Sequence, residues 1–305
     1  MEPFRIHILG CGSALPTLKH SASAQLIEMR GKCFMMDCGE GAQMQFRRSH
    51  VHFAKVTAVF ISHLHGDHCF GLLGLLSTFG LLGRTARLKV FAPACYASLF
   101  KQQMDFFMQG MGYEIEFVPV DTSKHAMVYE DHSVMVESVP LCHRVPCCGY
   151  IFREKPTLPH IRRDMLDYYG IPISQINNIK NGADWTTEDG VVIPNERLVV
   201  PADTPRSYAY CSDTSYMPQL YESVKHVTVL YHESTYTSEN EDRAKIYYHS
   251  TARQAAFVAQ KAEVGRLLLG HYSARYNDEK VLLDEARTVF PESYLTQEGM
   301  VFEVK

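Results

Sequence analysis

The sequence predicts a layered α/β protein, on two observations. Short apolar or alternating runs recur between helical patterns along most of its 305 residues, and a hydrophobic share of 46% with 21% charged residues allows a sizeable core without metals or disulfides to hold it. Strand candidates fall at 5–9, 24–29, 33–37, 56–61, 89–91, 134–139, 208–211, 227–231 and 266–269. Helical patterns fall at 42–49, 72–82, 96–108, 251–262 and 278–289, the fourth opening on His249-Ser250-Thr251, where a hydroxyl can cap the first turn. One segment stands apart. From Arg153 to about position 200 the chain is rich in Pro, Asn, Lys and Asp, carries the single Trp and lacks sustained core periodicity. It reads as an inserted arm with a short helix near 162–169, within one domain spanning 1–305; its length argues against an idle loop.

Composition narrows the function. The start, Met1-Glu2-Pro3-Phe4-Arg5, has no basic segment followed by a long apolar stretch, and no run reaches the 18 or so residues that span a bilayer, so a soluble, non-exported, membrane-free protein is expected. Nine scattered cysteines without C-x-x-C pairs read as reduced cytoplasmic thiols. A net charge of −4 excludes the broad basic footprint of a general nucleic-acid binder, leaving only local clusters such as Arg47-Arg48, Arg84 with Arg87 and Lys89, and Arg162-Arg163.

The chemistry concentrates in His63-Leu64-His65-Gly66-Asp67-His68, directly after the strand candidate ending at Ile61. Three imidazoles and a carboxylate in six residues would leave unpaired polar groups if buried without a cation, and that donor set suits Zn²⁺ or a similar first-row ion. Alternation puts His63 and His65 on one side of an extended turn, and Gly66 lets the chain bend so that Asp67 and His68 face a second position. The same grammar recurs: His143 follows the run 134–141, Asp213 follows 208–212, and His271 follows 267–270, each just past an apolar strand. Each alone is an ordinary polar residue at a strand end. Together with the first motif they supply ligands for two ions.

These residues resemble the metallo-β-lactamase superfamily and, within it, the ribonuclease Z family of tRNA 3′-processing endonucleases. The resemblance covers nearly the whole chain: Leu9-Gly10-Cys11-Gly12-Ser13, the His63–His68 run, Cys142-His143-Arg144-Val145-Pro146, Tyr210-Cys211-Ser212-Asp213-Thr214, His232-Glu233-Ser234-Thr235, His249-Ser250-Thr251 and His271-Tyr272-Ser273-Ala274-Arg275-Tyr276. It implies a four-layer αββα sandwich with a protruding substrate-binding arm. It implies two Zn²⁺ per subunit (Mn²⁺ or another divalent ion being an alternative), one held by His63, His65 and His143, the other by Asp67, His68 and His271, with Asp213 bridging. A hydroxide shared by the ions would attack the phosphodiester, Asp67 would orient it or take its proton, and His249, held by Glu233, would protonate the departing O3′. The implied reaction removes the 3′ trailer from precursor tRNA, leaving a 3′-hydroxyl on the tRNA and a 5′-phosphate on the trailer. The implied assembly is a homodimer in which one subunit's arm holds the tRNA cut by the other, with Arg153, Lys155, Arg162, Arg163, Lys180 and Arg275 as phosphate contacts.

The match departs in three places. The family's Pro-x-Lys-x-Arg-Asn loop is here Pro16-Thr17-Leu18-Lys19-His20-Ser21, without the Arg-Asn pair. The Gly-Pro-rich arm tip of bacterial members is replaced by Gly170-Ile171-Pro172 running into 173–180, and Ser234 stands where the family motif has Ala. Gly10-x-Gly12 is not a dinucleotide fingerprint, because the third glycine is absent and a strand follows.

Overall fold

Two mixed sheets of seven strands each carry the fold. The computed structural model describes residues 2–305. In chain order the strands are β1 Phe4–Gly10, β2 Ala24–Met29, β3 Lys32–Cys38, β4 Val56–Phe60, β5 Leu88–Pro93, β6 Ile115–Val120, β7 Ala126–Glu130, β8 Val134–Pro140, β9 Cys148–Glu154, β10 His160–Ile161, β11 Trp185–Thr186, β12 Val192–Ile193, β13 Val199–Val200, β14 Ser207–Cys211, β15 Val229–Glu233, β16 Arg266–Gly270, β17 Ser293–Leu295 and β18 Val301–Glu303. The first large sheet runs β18-β1-β2-β3-β4-β5-β6 and the second β17-β16-β15-β14-β9-β8-β7.

The period of two along each strand divides its side chains between two cores. In β3, Phe34 and Met36 join Phe60, Tyr150, Phe152, Tyr208 and Tyr210 in a core shared by both sheets, with ring centroids 5.7 Å apart for Phe34 and Phe152 and 5.1 Å for Phe60 and Tyr150. The alternate residues Cys33 and Met35 face outward onto Phe46, Leu72, Leu75, Leu76 and Phe79 of the helices Ala42–Arg48 and Leu72–Leu81. The second sheet is covered likewise by the helices Ala252–Lys261 and Lys280–Arg287, through Ala255, Ala259, Leu282 and Ala286. Helix, sheet, sheet, helix is the four-layer order expected. Thr251 caps the helix 252–261 with a reciprocal Gln254 bond, the capping hydroxyl read from the sequence.

Residues Glu154–Pro205 form a compact unit by themselves, apart from the unit of Glu2–Arg153 and Arg206–Lys305. The smaller unit contains the expected short helix, Arg163–Tyr168. It also has what the sequence did not suggest, a core of its own: Ile171, Ile179, Ile193 and Leu198 are buried, with Trp185 and Leu166 packed against them. The two-stranded ladder β10-β13 pairs residues near its two ends, and a second, β11-β12, closes a hairpin inside it.

Candidate metal centre

The expected ligands all lie just beyond, or in the turn after, the C-terminal ends of β4, β8, β14 and β16, and the fold brings them to one place. His63 Nε2 lies 3.0 Å from His65 Nδ1, which lies 3.1 Å from His143 Nε2. Asp213 Oδ2 is 3.6 Å from His63 Nε2 and 3.7 Å from His143 Nε2. On its other side, Asp213 Oδ1 is 3.0 Å from His271 Nε2 and 3.1 Å from His68 Nε2; those two nitrogens are 3.3 Å apart, and Asp67 Oδ2 is 3.5 and 3.6 Å from them. One carboxylate therefore presents a different oxygen to each of two histidine clusters.

These separations test whether a cation fits. Donor atoms around a tetrahedral zinc, with bonds of about 2.0–2.1 Å, stand roughly 3.3 Å apart. Three imidazole nitrogens converging on one point cannot all be answered by protons, whereas a cation answers them together. Four of the five remaining ring nitrogens have partners: His63 Nδ1 has Ser62 Oγ at 3.0 Å, His68 Nδ1 Asp37 Oδ2 at 2.7 Å, His143 Nδ1 the Tyr248 carbonyl at 2.9 Å and His271 Nδ1 Thr235 Oγ1 at 2.9 Å. Such outer partners fix tautomer and ring orientation around metal ligands. The residues fit a pair of divalent ions.

Backbone bends aim several of these groups. Asp37, Asp213, His271 and Ala14 all take left-handed φ values, +54°, +47°, +59° and +55°. Each bend costs of order 1–3 kcal/mol, and at Asp213 and His271 it turns the side chain in from the strand end. Burial opposes the charged forms of His63, His65 and His143, mutual repulsion adds to it, and all three are held below the ordinary histidine range. Burial also opposes ionisation of Asp213 and Asp67, but the facing imidazoles outweigh it and both stay low, as anions. His68 goes the other way: burial opposes its charge, but Asp213, Asp37 and Asp67 outweigh it and raise it, so a metal must displace its proton, since neutral imidazoles and ionised carboxylates are the forms that bind metal.

His249 and Glu233 lie beside this centre. His249 Nδ1 donates to Glu233 Oε1 at 2.8 Å, and its ring centroid is 5.3 Å from those of both His143 and His271. Glu233 is buried and also accepts from Thr214 N at 2.8 Å and Thr235 Oγ1 at 2.6 Å. Burial disfavours the imidazolium, but the Glu233 charge and hydrogen bond overcome it and raise His249 to about 9. A cavity of about 340 Å³ opens over these groups, lined also by Phe70 and Arg144.

Sequence reasoning missed four contributors: Asp37, Thr235, Phe70 and Arg144. Asp37 is the most consequential; it is fully buried, takes Ser62 N at 2.7 Å and Tyr210 Oη at 2.9 Å, and thereby fixes His68. Of the phosphate-contact candidates, Arg275 stacks over Tyr236 at 5.1 Å and donates to Asn240, while Arg153 is engaged by Glu137 at 2.8 Å. Lys155, Arg162, Arg163 and Lys180 belong to the smaller unit, where Arg162 pairs with Asp164 at 3.0 Å.

An αββα sandwich with His-x-His-x-Asp-His at one sheet end, and further His and Asp converging from later strands, defines a hydrolase of the metallo-β-lactamase fold. Solved structures sharing it include human tRNase Z, short form (TM-score 0.71, 23% identity, 99% of each chain), and a metallo-β-lactamase fold protein from Bacillus subtilis (TM-score 0.70, 18% identity, 99% of this chain and all of that one). A family model described as anti-Pycsar protein Apyc1 matches residues 4–155. Ribonuclease Z of Bacteroides thetaiotaomicron is 52% identical over 304 residues, covering 100% of this chain and 96% of that protein; ribonuclease Z of Phocaeicola vulgatus is 50% identical over 305 residues, covering 100% and 99%. The chain belongs to the ribonuclease Z family and is an enzyme, a nuclease of the hydrolase class.

Proposed function

We propose that this enzyme is a two-zinc endoribonuclease that removes the 3′ trailer from precursor tRNA, leaving a 3′-hydroxyl on the tRNA and a 5′-phosphate on the trailer. The observation that carries the proposal is Asp213, with Oδ2 toward His63 and His143 and Oδ1 toward His68 and His271, set beside the hydrogen-bonded pair His249 and Glu233. The relatives named ribonuclease Z supply the tRNA part of the reading. When bound, two divalent ions supply Lewis acidity toward a phosphodiester and a hydroxide nucleophile at neutral pH. Zn²⁺ suits the imidazole-rich donor set, and Mn²⁺ is the alternative.

The chain's own residues handle the protons. Asp67, kept anionic, orients the nucleophile or accepts its proton while its Oδ2 is fixed by the Ala14 N–H at 2.7 Å. His249 spends Nδ1 on Glu233, so Nε2 carries the proton that goes to the leaving O3′. Glu233 holds the ring and its charge. The 154–205 unit is the tRNA-holding arm of this reading, with Arg153, Lys155, Arg162, Arg163, Lys180 and Arg275 on phosphates, in a homodimer whose subunits each hold the tRNA cut by the other. Nine free thiols fit a reducing cytoplasm, and among the described residues no helix is long and apolar enough to cross a membrane.

The test pairs metal analysis of the purified protein with cleavage of precursor tRNAs that do and do not encode CCA. Cleavage that leaves a 3′-hydroxyl, two zinc ions per chain, and loss of cleavage in a folded His63→Ala variant are the expected results. Retained cleavage in that variant overturns the metal assignment.

A further inference from the structure

The metal centre leaves one dense cluster of titratable groups unexplained. His20, in the loop after β1, is 8% exposed, with Nδ1 3.0 Å from Glu298 Oε2 and Nε2 3.1 Å from Glu279 Oε1. Glu298 Oε1 also accepts from Ser21 N at 2.8 Å and Cys11 N at 3.3 Å, Cys11 Sγ lies 3.4 Å from His20 Nδ1, and Lys19 Nζ closes on Glu279. The Tyr272 ring completes the surround at 5.4 Å. A carboxylate at each ring nitrogen requires a proton on both, so the ring is an imidazolium and two cations balance two anions. The Glu298 hydrogen bond raises the His20 pKa against the effect of burial, consistent with that form. Gly10 and Gly12 make the fold-back possible: a Cβ at Gly10 would sit 1.8 Å from the Ala22 carbonyl oxygen, and one at Gly12 3.0 Å from His20 Cβ. The glycine pair that failed as a nucleotide fingerprint thus has a structural use.

The same loop carries Ala14, held at φ +55°, whose N–H donates to Asp67 Oδ2. That is the oxygen facing His68 and His271. We infer that the His20–Glu279–Glu298 cluster is a clamp that holds this loop so that Ala14 fixes Asp67, making His20 a positioning residue for the half of the metal centre built on Asp67, His68 and His271. The inference rests on Asp67 acting as a ligand, as proposed above. Cys11, His20 and Glu298 also have the makings of a third cation site; the carboxylates already at both ring nitrogens favour the proton-held clamp.

The test compares wild type with His20→Gln, Glu298→Gln and the double variant, using His7→Gln as control, because His7 makes a similar 2.8 Å bond to Glu28 without any route to Asp67. Three quantities are read: hydrogen exchange at the Ala14 amide in metal-free protein, zinc affinity by chelator competition, and kcat and KM on both precursor tRNA and bis(p-nitrophenyl) phosphate. His20→Gln is expected to expose Ala14 to exchange, weaken one zinc by about 10–100-fold as loss of an outer partner does, and lower kcat on both substrates with KM for the small diester little changed. The double variant, with an amide pair in place of the ion pair, should recover part of each loss, and His7→Gln should lose nothing. Unchanged Ala14 exchange and zinc affinity in His20→Gln overturn the clamp, as does a double variant no better than the single one. A third zinc in wild type that His20→Gln removes overturns it too. If His20→Gln does not fold, Glu279→Gln, which removes the charge at Nε2 together with the Lys19 ion pair and leaves Glu298 in place, makes the same comparison with a smaller effect. Failure of wild type on precursor tRNA would sink the tRNA reading alone, since exchange, zinc affinity and the small diester still judge the clamp.

Discussion

Replacing Glu233 with Gln should move the alkaline limb of the pH–rate profile and leave the acid side almost untouched. The carboxylate is buried and sits 2.8 Å from His249 Nδ1, and its charge is what raises that histidine from 6.5 to about 9. Gln removes the charge and keeps only one oxygen, so either the Oε1 contacts to His249 and Thr214 or the Oε2 contact to Thr235 is lost with it; His249 falls back toward its ordinary value, a loss of about 3 kcal/mol of preference for the protonated form. The sign follows from the role. A proton donor works only while protonated, so activity is present below the folded pKa and lost as pH rises through it, and the same window holds for the pair's contribution to stability. At pH 8 the protonated fraction drops from about nine-tenths to a few hundredths, roughly 30-fold, while at pH 6 both proteins remain mostly protonated. Cations in the centre lower both baselines, so the separation between the two curves is the quantity to read. The assay is kcat across pH 5.5–9.5 on precursor tRNA and on bis(p-nitrophenyl) phosphate. Superimposable alkaline limbs, or an equal loss at pH 6 and pH 8, would refute the assignment of His249 as a charge-supported donor.

Three further outcomes are expected. Asp37→Ala should weaken zinc binding and cut turnover by about 10–100-fold although the residue touches no substrate, measured by chelator competition alongside kinetics; full zinc affinity in the variant would contradict its hold on His68. The double variant Arg162→Ala with Arg163→Ala should reduce the slope of log affinity for tRNA against log salt by about 2, because each phosphate contact contributes about 0.9, with small-diester turnover unchanged; a slope equal to wild type would remove both from the tRNA interface. Phe60→Ala, in the core between the sheets, should destabilise by about 3–5 kcal/mol in denaturant titrations, with the metal-free protein showing the full loss.

Four of the five strands that the sequence concealed in the two large sheets have a common cause. Among those with no candidate run, β6, β7, β17 and β18 are the four edge strands of the two large sheets. An edge strand need not alternate cleanly, and β7 buries none of its side chains fully, so Ala126–Glu130 leaves little apolar pattern to find. β9 was hidden for the opposite reason: Cys148–Glu154 is buried on both faces and shows no alternation. The metal ligands were legible because no other chemistry explains so many imidazoles so close together. Asp37 was not, because its partners Ser62, His68 and Tyr210 are 25, 31 and 173 positions away and it reads locally as the end of a strand. The arm's core was missed because Ile171, Ile179, Ile193 and Leu198 follow neither a helical nor a strand period. Its charge was countable yet uninformative about tRNA: 154–205 holds five Lys and Arg against eight Asp and Glu, so any grip on phosphate is local rather than a basic surface.

The single carboxylate shared by two histidine clusters has a consequence for how the enzyme is loaded. Under the two-ion reading, the first cation to arrive locks the rotamer of Asp213 and so presets a ligand of its neighbour, which offsets part of the repulsion between two dications. Occupancy of the halves is then linked, and zinc titrations should be steeper than two independent sites allow. In a cell short of metal, such molecules sort toward full and empty, so scarcity lowers the number of working enzymes more than the quality of each.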